Sequence, residues 1–446
     1  MSRMFASLSE PNYRVWFVGA LVSNIGTWMQ RTAQDWLVLT QLTHNSGTAT
    51  GIVTGLQFLP ILILSPYAGV VADRVDRLKL LKITQTISGL IALTLGVLVL
   101  TGTAQLWHVY VLAFALGVVA AFDNPPRQAL VNDLVPHTLV PNAVSLNSTS
   151  FNMARLAGPA VSGLLIAAVG TGWMFVINAG SYAAVIISLF MLHPERFHGS
   201  GVRAVRQRGQ VREGIAYVLK DPQLVLVFVV AFFIGTFGLN FPVYNAVMAS
   251  SVFHRGPSDF GWLGTIMAVG TLAGALTAAR RQGSRIKYAV GGAFAFGVFG
   301  VAAAWMPSFW VFAVLLIPVG FASITFLNSA NITVQMTVPS QFRGRVMALY
   351  MMVVQGGTPL GAPIMGWVAE KMGGRWSMAL GCGLSILVAA WAVLYWARHH
   401  RGQMGTRWRY YSARARERVW PRLAGPGHLF PRRPDPETGP TDPDRT

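Results

Sequence analysis

Long apolar runs constrain this chain more than any other feature. Reading with a window of about 20 residues, the length needed to cross a bilayer core, twelve candidates appear, at roughly 15–42, 50–72, 80–101, 105–124, 141–169, 172–192, 222–249, 258–281, 286–306, 308–334, 344–370 and 375–397. A chain that is 53% hydrophobic and only 11% charged cannot cover such runs with polar surface, since ordinary soluble domains are about 25% charged. Lipid must supply much of the solvent. The fold class expected is therefore an all-α membrane protein.

The net charge of +19 raises the possibility of nucleic-acid binding. The basic residues, however, fall in loops and in the C-terminal stretch. After even-numbered runs stand Arg74, Arg77, Lys79 and Lys82, then Arg127, then Arg196 to Lys220, then Arg280 to Lys287, then Arg343 and Arg345; the opposite loops hold only Arg255, Lys371 and Arg375. That asymmetry is the positive-inside pattern. It predicts a multi-pass membrane protein with both termini cytoplasmic, anionic lipids near its basic loops and tail, and no nucleic-acid partner. The first run, starting near Val15, is too long for a cleaved signal peptide, and the lone Cys382 allows no intramolecular disulfide.

Four regions follow: a six-helix bundle over 1–193, a cytoplasmic linker over 194–221 with an amphipathic helix near Glu213–Lys220, a second six-helix bundle over 222–397, and a disordered basic, Pro-rich tail over 398–446. The bundles share identities at one constant offset. Val135, Pro136, Leu146, Gly158 and Gly163 match Val338, Pro339, Leu349, Gly361 and Gly366. Two pseudo-symmetric halves around a central site are a common transporter architecture.

Ionisable groups inside a span are costly and mark function. Asp35 is the only carboxylate well inside a run. Run 1 places Asn24, Trp28, Arg31 and Asp35 on one helical face, with Arg31 and Asp35 in ion-pairing register. The functional reading is a proton-accepting Asp35 modulated by Arg31; the structural one is a permanent pair. Run 5 repeats the pattern with Ser148, Asn152, Arg155 and Pro159. Two arginines against one aspartate leave a cationic cavity suited to an anionic or hydrogen-bond-rich small molecule. In the second half Asn328, Asn331 and Gln355 are candidates for the same cavity, or for knitting helices together. No P-loop, H-E-x-x-H or G-x-S-x-G occurs, so neither an enzyme nor a cofactor or metal site is expected.

The segment Gly69-x-x-x-Asp73-Arg74-x-x-Arg77-x-Lys79 resembles the loop 2–3 signature of the major facilitator superfamily. The resemblance implies twelve helices in two bundles, packing at Gly69, and a conformational latch of Gly69, Asp73, Arg74, Arg77 and Asp123 in which Arg77 bridges Asp73 to Asp123. Arg155-Leu-Ala-Gly158-Pro159-Ala-Val-Ser-Gly163 resembles the family's exporter motif, implying a helix bend at Gly158, Pro159 and Gly163; Ser162 stands where a glycine is usual, and no Arg or Lys falls between Leu106 and Phe122, where the family has a span-4 arginine. Asn12-Tyr-Arg-Val-Trp-Phe, Gly26-Thr-Trp-Met-Gln, Asp35-Trp-Leu-Val-Leu and Pro126-Arg-Gln-Ala resemble the branch containing the enterobactin exporter and actinobacterial drug-efflux proteins. The resemblance implies a monomeric, proton-coupled antiporter of the bacterial inner membrane exporting siderophore-like or drug-like molecules, with small substrates and protons as its partners. An uncoupled facilitator or importer of an anionic metabolite and a non-transporting sensor are the alternatives.

Overall fold

In hydrocarbon no water is present to satisfy backbone N–H and C=O groups, so each apolar run closes its hydrogen bonds within itself. The computed structural model describes residues 3–198, 210–279 and 286–399, without the side chains of 3–4, 66, 73, 210–212, 279, 340 and 399. Among the described residues there is no strand. The first half holds α1 (Pro11–Trp36), α2 (Gly47–Arg74), α3 (Arg77–Leu100), α4 (Leu106–Asp133), α5 (Val140–Val169) and α6 (Thr171–Phe190). A linker helix, α7 (Gln210–Lys220), leads to α8 (Pro222–Phe233), α9 (Phe241–Val247), α10 (Pro257–Ala279), α11 (Ile286–Ala304), α12 (Phe309–Thr337), α13 (Ser340–Gly356), α14 (Thr358–Met372) and α15 (Gly374–His399). The chain divides into two compact units, Met1–Val393 and Leu394–Thr446. Of the tail expected at 398–446, positions 398–399 belong to α15, and 400–446 lie outside the described residues, as do Arg203, Arg206 and Arg208 of the linker and Arg280, Arg281 and Arg285.

Ten helical segments among the described residues are long and apolar enough to cross a membrane. The remaining two crossings fall short for identifiable reasons. α1 carries Arg14, Arg31 and Asp35, and run 11, expected as one helix over 344–370, is broken at Gly357 into α13 and α14. Run 7 is interrupted too. Its α8 passes through a π segment at Ile234–Gly238, restarts as α9, and ends in a second π segment, Met248–Val252. Large apolar side chains such as Leu90, Trp107, Val111, Phe190 and Leu387 point outward, as a lipid-facing surface requires.

Run 1 and run 7 end alike. A π segment (Leu37–Leu42, Met248–Val252) is followed by a residue in the left-handed region, Asn45 at φ 59 and His254 at φ 52. Runs 5 and 11 also end alike, on Gly170 at φ 87 and Gly373 at φ 94. Glycine carries no Cβ penalty there, so the repeat continues one step beyond the matched Gly158/Gly361 and Gly163/Gly366.

Those four glycines do two jobs. Gly158 lies against Trp28 of α1, and Gly361 lies against Thr236 of run 7, where any added Cβ would strike its carbonyl oxygen. Gly163 meets Pro257 and Gly261 of α10, and Gly366 meets Gly47 of α2. The first pair thus packs helices within a half, and the second pair brings the halves together. Along the α2–α14 seam, Gly51 faces Ala362 and Pro363, and Gly55 faces Pro359. Small residues let backbones approach where no hydrophobic drive acts between helices.

The contacts between halves gather at the end bearing the 43–46 and 253–256 loops. Trp36 stacks on Phe260 at 5.5 Å, Ser250 Oγ donates to Asn45 Oδ1 at 2.5 Å, and Thr265 Oγ1 donates to the Leu156 carbonyl at 2.8 Å. Glu370 of α14 reaches the start of α2, accepting from Ser46 Oγ at 2.6 Å and from the Thr48 amide at 3.4 Å. A carboxylate at a helix N-terminus answers unpaired N–H groups and the positive end of the dipole.

Candidate functional site: an arginine pair on Trp28

α1 is wedged between α5 and α6 by small residues. Gly19 sits against Ser188 and Val185, and Gly26 against Asn178 and Ser181. Ser162 Oγ donates to the Met29 carbonyl at 3.0 Å, so the serine found where the family has glycine ties α5 to α1. This close packing sets the depth of Trp28, whose ring meets Phe151 edge-on at 5.7 Å.

Two guanidinium groups share that ring. Arg31 Cζ is 5.2 Å from its centroid and Arg155 Cζ is 5.7 Å; Arg31 also lies 5.7 Å from the Phe58 ring of α2. Cations over aromatic faces gain about 2 kcal/mol or more when desolvated, which holds both charges without consuming their hydrogen-bond donors. Asn24 completes the group, its Nδ2 donating to Ser150 Oγ at 3.4 Å.

The expected Arg31–Asp35 pair takes a different form. No ion pair joins these side chains in the described structure. Helical side chains lean toward the N-terminus, so Arg31 reaches back one turn to Trp28 rather than forward to Asp35. The acidic residue is better placed N-terminal to the base for an i, i+4 pair, and here the order is reversed. Asp35 is buried at 8% exposure, and no described side chain or backbone group hydrogen-bonds to its carboxylate. A buried carboxylate one turn beyond two cations, with free lone pairs, can accept a proton.

The other candidates are placed differently. Asn152 Nδ2 donates to the Ser148 carbonyl of its own helix. Gln335 Nε2 donates to Asn331 Oδ1 at 2.5 Å along α12, Asn328 is half-buried, and Gln355 is exposed just before the Gly357 break. No described contact links Asn328, Asn331 or Gln355 to the arginine pair.

The charged loop after α2 is also corrected in its pairing. Arg77 Nη1 meets Asp133 Oδ2 at 2.5 Å, not Asp123. Asp123 accepts instead from Arg127 Nε at 2.7 Å, Thr84 Oγ1 at 2.6 Å and Gln85 Nε2 at 2.7 Å. Arg127 lies one turn along the same helix, with the acid on the N-terminal side, the favourable order; that local signal was present in the sequence. Asp76 caps α3 through the Lys79 amide at 2.7 Å. Gly69 is buried and Arg74 exposed, and the Asp73 side chain is outside the described structure. On the linker, Arg345 pairs with Glu213, and Tyr217 stacks on Phe342 at 5.1 Å, so α7 docks on α13.

Several further polar groups are buried. Asn178 Nδ2 donates to Gln30 Oε1 at 2.5 Å between α6 and α1, and buried atoms of Gln34, Thr236, Asn240 and Asn245 reach no protein partner. Neutral amides in apolar runs carry no pattern that separates them from packing residues.

The family described as transmembrane secretion effector matches residues 2–406. The chain belongs to this family of the major facilitator superfamily. Like other members it is a multi-pass membrane transporter and not an enzyme. The staphyloferrin A transporter of Staphylococcus aureus is 26% identical over 377 residues, covering 81% of this chain and 90% of that protein. The multidrug efflux pump Tap of Mycolicibacterium fortuitum is 28% identical over 369 residues, covering 79% and 88%. Among solved structures, the nucleoside transporter NupG superposes with a TM-score of 0.67 at 14% identity over 86% of this chain and 99% of that one. A bacterial homologue of the lysosomal transporter Spinster, inward-facing and unoccupied, gives 0.65 at 16% identity over 86% and 96%. These likenesses establish the major facilitator fold of this family member.

Proposed function

We propose that this protein is a proton-coupled exporter of small organic anions, working by alternating access between halves 1–193 and 222–397. The observation that carries the reading is the pair Arg31 and Arg155 on one indole, with Asp35 one turn beyond. In low dielectric two cations of free donor capacity select carboxylates or similar anions. The kinship with a staphyloferrin A transporter and with a multidrug efflux pump supports a siderophore-like or drug-like cargo. The positive-inside asymmetry supports cytoplasmic termini.

In this reading Asp35 takes up the proton and the arginine pair holds the cargo. Asn24, Asn152, Asn328, Asn331 and Gln355 line the path. The latch at Gly69, Asp73, Arg74 and Arg77 works through the pair with Asp133, while Asp123 and Arg127 tie α4 to α3. The test is flux into proteoliposomes across a panel of carboxylate, neutral and cationic compounds under an imposed proton gradient. Preference for the carboxylates is expected; preference for cations overturns the reading.

With cytoplasmic termini, the Glu370 contact with Ser46 and the α2 N-terminus closes the outer end. Glu370→Gln removes the charge-assisted part of that contact. The outward-open population should rise roughly threefold to fivefold, the effect of a dipole-capping charge of about 1 kcal/mol. Spin-label distances across the α2–α14 seam would read it, and an unchanged distribution would assign the closure to the glycine packing alone.

A further inference from the structure

Away from the arginine pair, a groove of about 500 Å³ lies between α11 and α12. One wall is Lys287, Gly291, Ala295 and Phe299 of α11, spaced one turn apart, and Pro318 and Phe321 of α12 form part of the other. Gly291 and Phe299 are exposed along its open side. The deep wall is tight: a Cβ at Gly292 would strike the Phe326 amide nitrogen, whereas one at Gly291 would meet nothing within 4 Å. The groove is therefore a real indentation in the lipid-facing surface.

Its polarity is confined to one end. Thr325, which also lines the groove, spends its hydroxyl on the Phe321 carbonyl at 2.8 Å. Lys287 stands in the first turn of α11, exposed, with its Nζ 5.2 Å from the Tyr288 ring centroid and no acidic partner among the described residues. From Lys287 to Phe299 the helix rises roughly 18 Å. That matches one leaflet of the hydrocarbon core, about half of 30 Å.

We propose that this groove is a binding site for an anionic phospholipid, with one acyl chain along Gly291, Ala295 and Phe299 and the phosphate on Lys287. Length, apolar walls and a lysine at headgroup depth fit a lipid better than a soluble anion, for which the groove is apolar along most of its length. A zwitterionic lipid fits the same walls but offers Lys287 no net charge. The site stands apart from the transport reading, because it shares no residue with Asp35, Arg31 or Arg155.

The test is native mass spectrometry of the full-length protein, delipidated and titrated with phosphatidylglycerol or phosphatidylcholine. The unaltered protein should retain phosphatidylglycerol about fivefold more tightly than phosphatidylcholine, the increment expected for one lysine near an anionic headgroup. Lys287→Ala should erase that preference while leaving chain-dependent binding. Gly291→Leu, at a position where an added Cβ meets nothing within 4 Å, puts a bulky side chain on the groove wall and should weaken both lipids severalfold. Gly180→Leu, at a glycine on α6 with equally open surroundings, should change neither. Unchanged retention in Gly291→Leu, or a preserved preference in Lys287→Ala, overturns the proposal. So does a Gly291→Leu variant that loses only binding of the transported anion.

Discussion

Asp35→Asn should abolish uphill transport while leaving substrate exchange intact. With the membrane potential clamped at zero, one proton entering down one pH unit releases about 1.4 kcal/mol, enough to hold a gradient of roughly tenfold at one proton per substrate. Without a titratable group at position 35, that gradient should collapse to unity under the same pH difference. Counterflow with labelled substrate inside and unlabelled outside needs no proton and should proceed at near-normal rate. The split separates lost coupling from lost folding. Undiminished accumulation by the variant would remove Asp35 from the mechanism and favour an uncoupled facilitator.

Arg155→Gln and Arg31→Gln should each weaken binding of an organic anion by at least about thirty-fold. The figure follows from the 2–5 kcal/mol typical of truncating one member of a buried charged contact. Arg155→Lys should restore only part of it, because the compact ammonium neither stacks on Trp28 in the same way nor offers a planar fork of donors. Equilibrium binding by isothermal titration on purified protein, with a carboxylate and its methyl ester in parallel, reads the effect. The ester should bind the unaltered protein weakly and be little affected by either substitution. Equal losses for acid and ester would mean that the arginines shape the site without reading charge.

Both expectations depend on where the arginines point, and here sequence and structure part. The spacing of Asn24, Trp28, Arg31 and Asp35 places them on one face of α1. The same spacing equally allows an Arg31–Asp35 pair, and only the N-terminal lean of helical side chains and the neighbouring Phe58 of α2 direct Arg31 to the indole. Arg155 reaches the same ring from another helix, a coincidence no one-dimensional pattern contains. The loop after α2 shows the same division. Its charges are legible, but Arg77 finds Asp133 because α4 ends beside the start of α3, while Asp123 is taken by Arg127, Thr84 and Gln85.

Apolar length, loop charge and the glycine repeat are local or periodic properties, so the chain alone determined the membrane setting, the twelve crossings, the two related halves and the family. Hydrocarbon enforces that outcome, since continuous apolar runs of about 20 residues satisfy their backbone groups there as helices. Partner choice among polar side chains is set by which helices touch and at what depth. The Gly357 break, the π segments of runs 1 and 7, the Glu370 contact across the halves and the groove beside Lys287 therefore belong to the tertiary structure. At the Gly357 break the approach is close enough that an added Cβ would strike Thr236; at Glu370 it is a carboxylate of one half meeting a hydroxyl and an amide of the other.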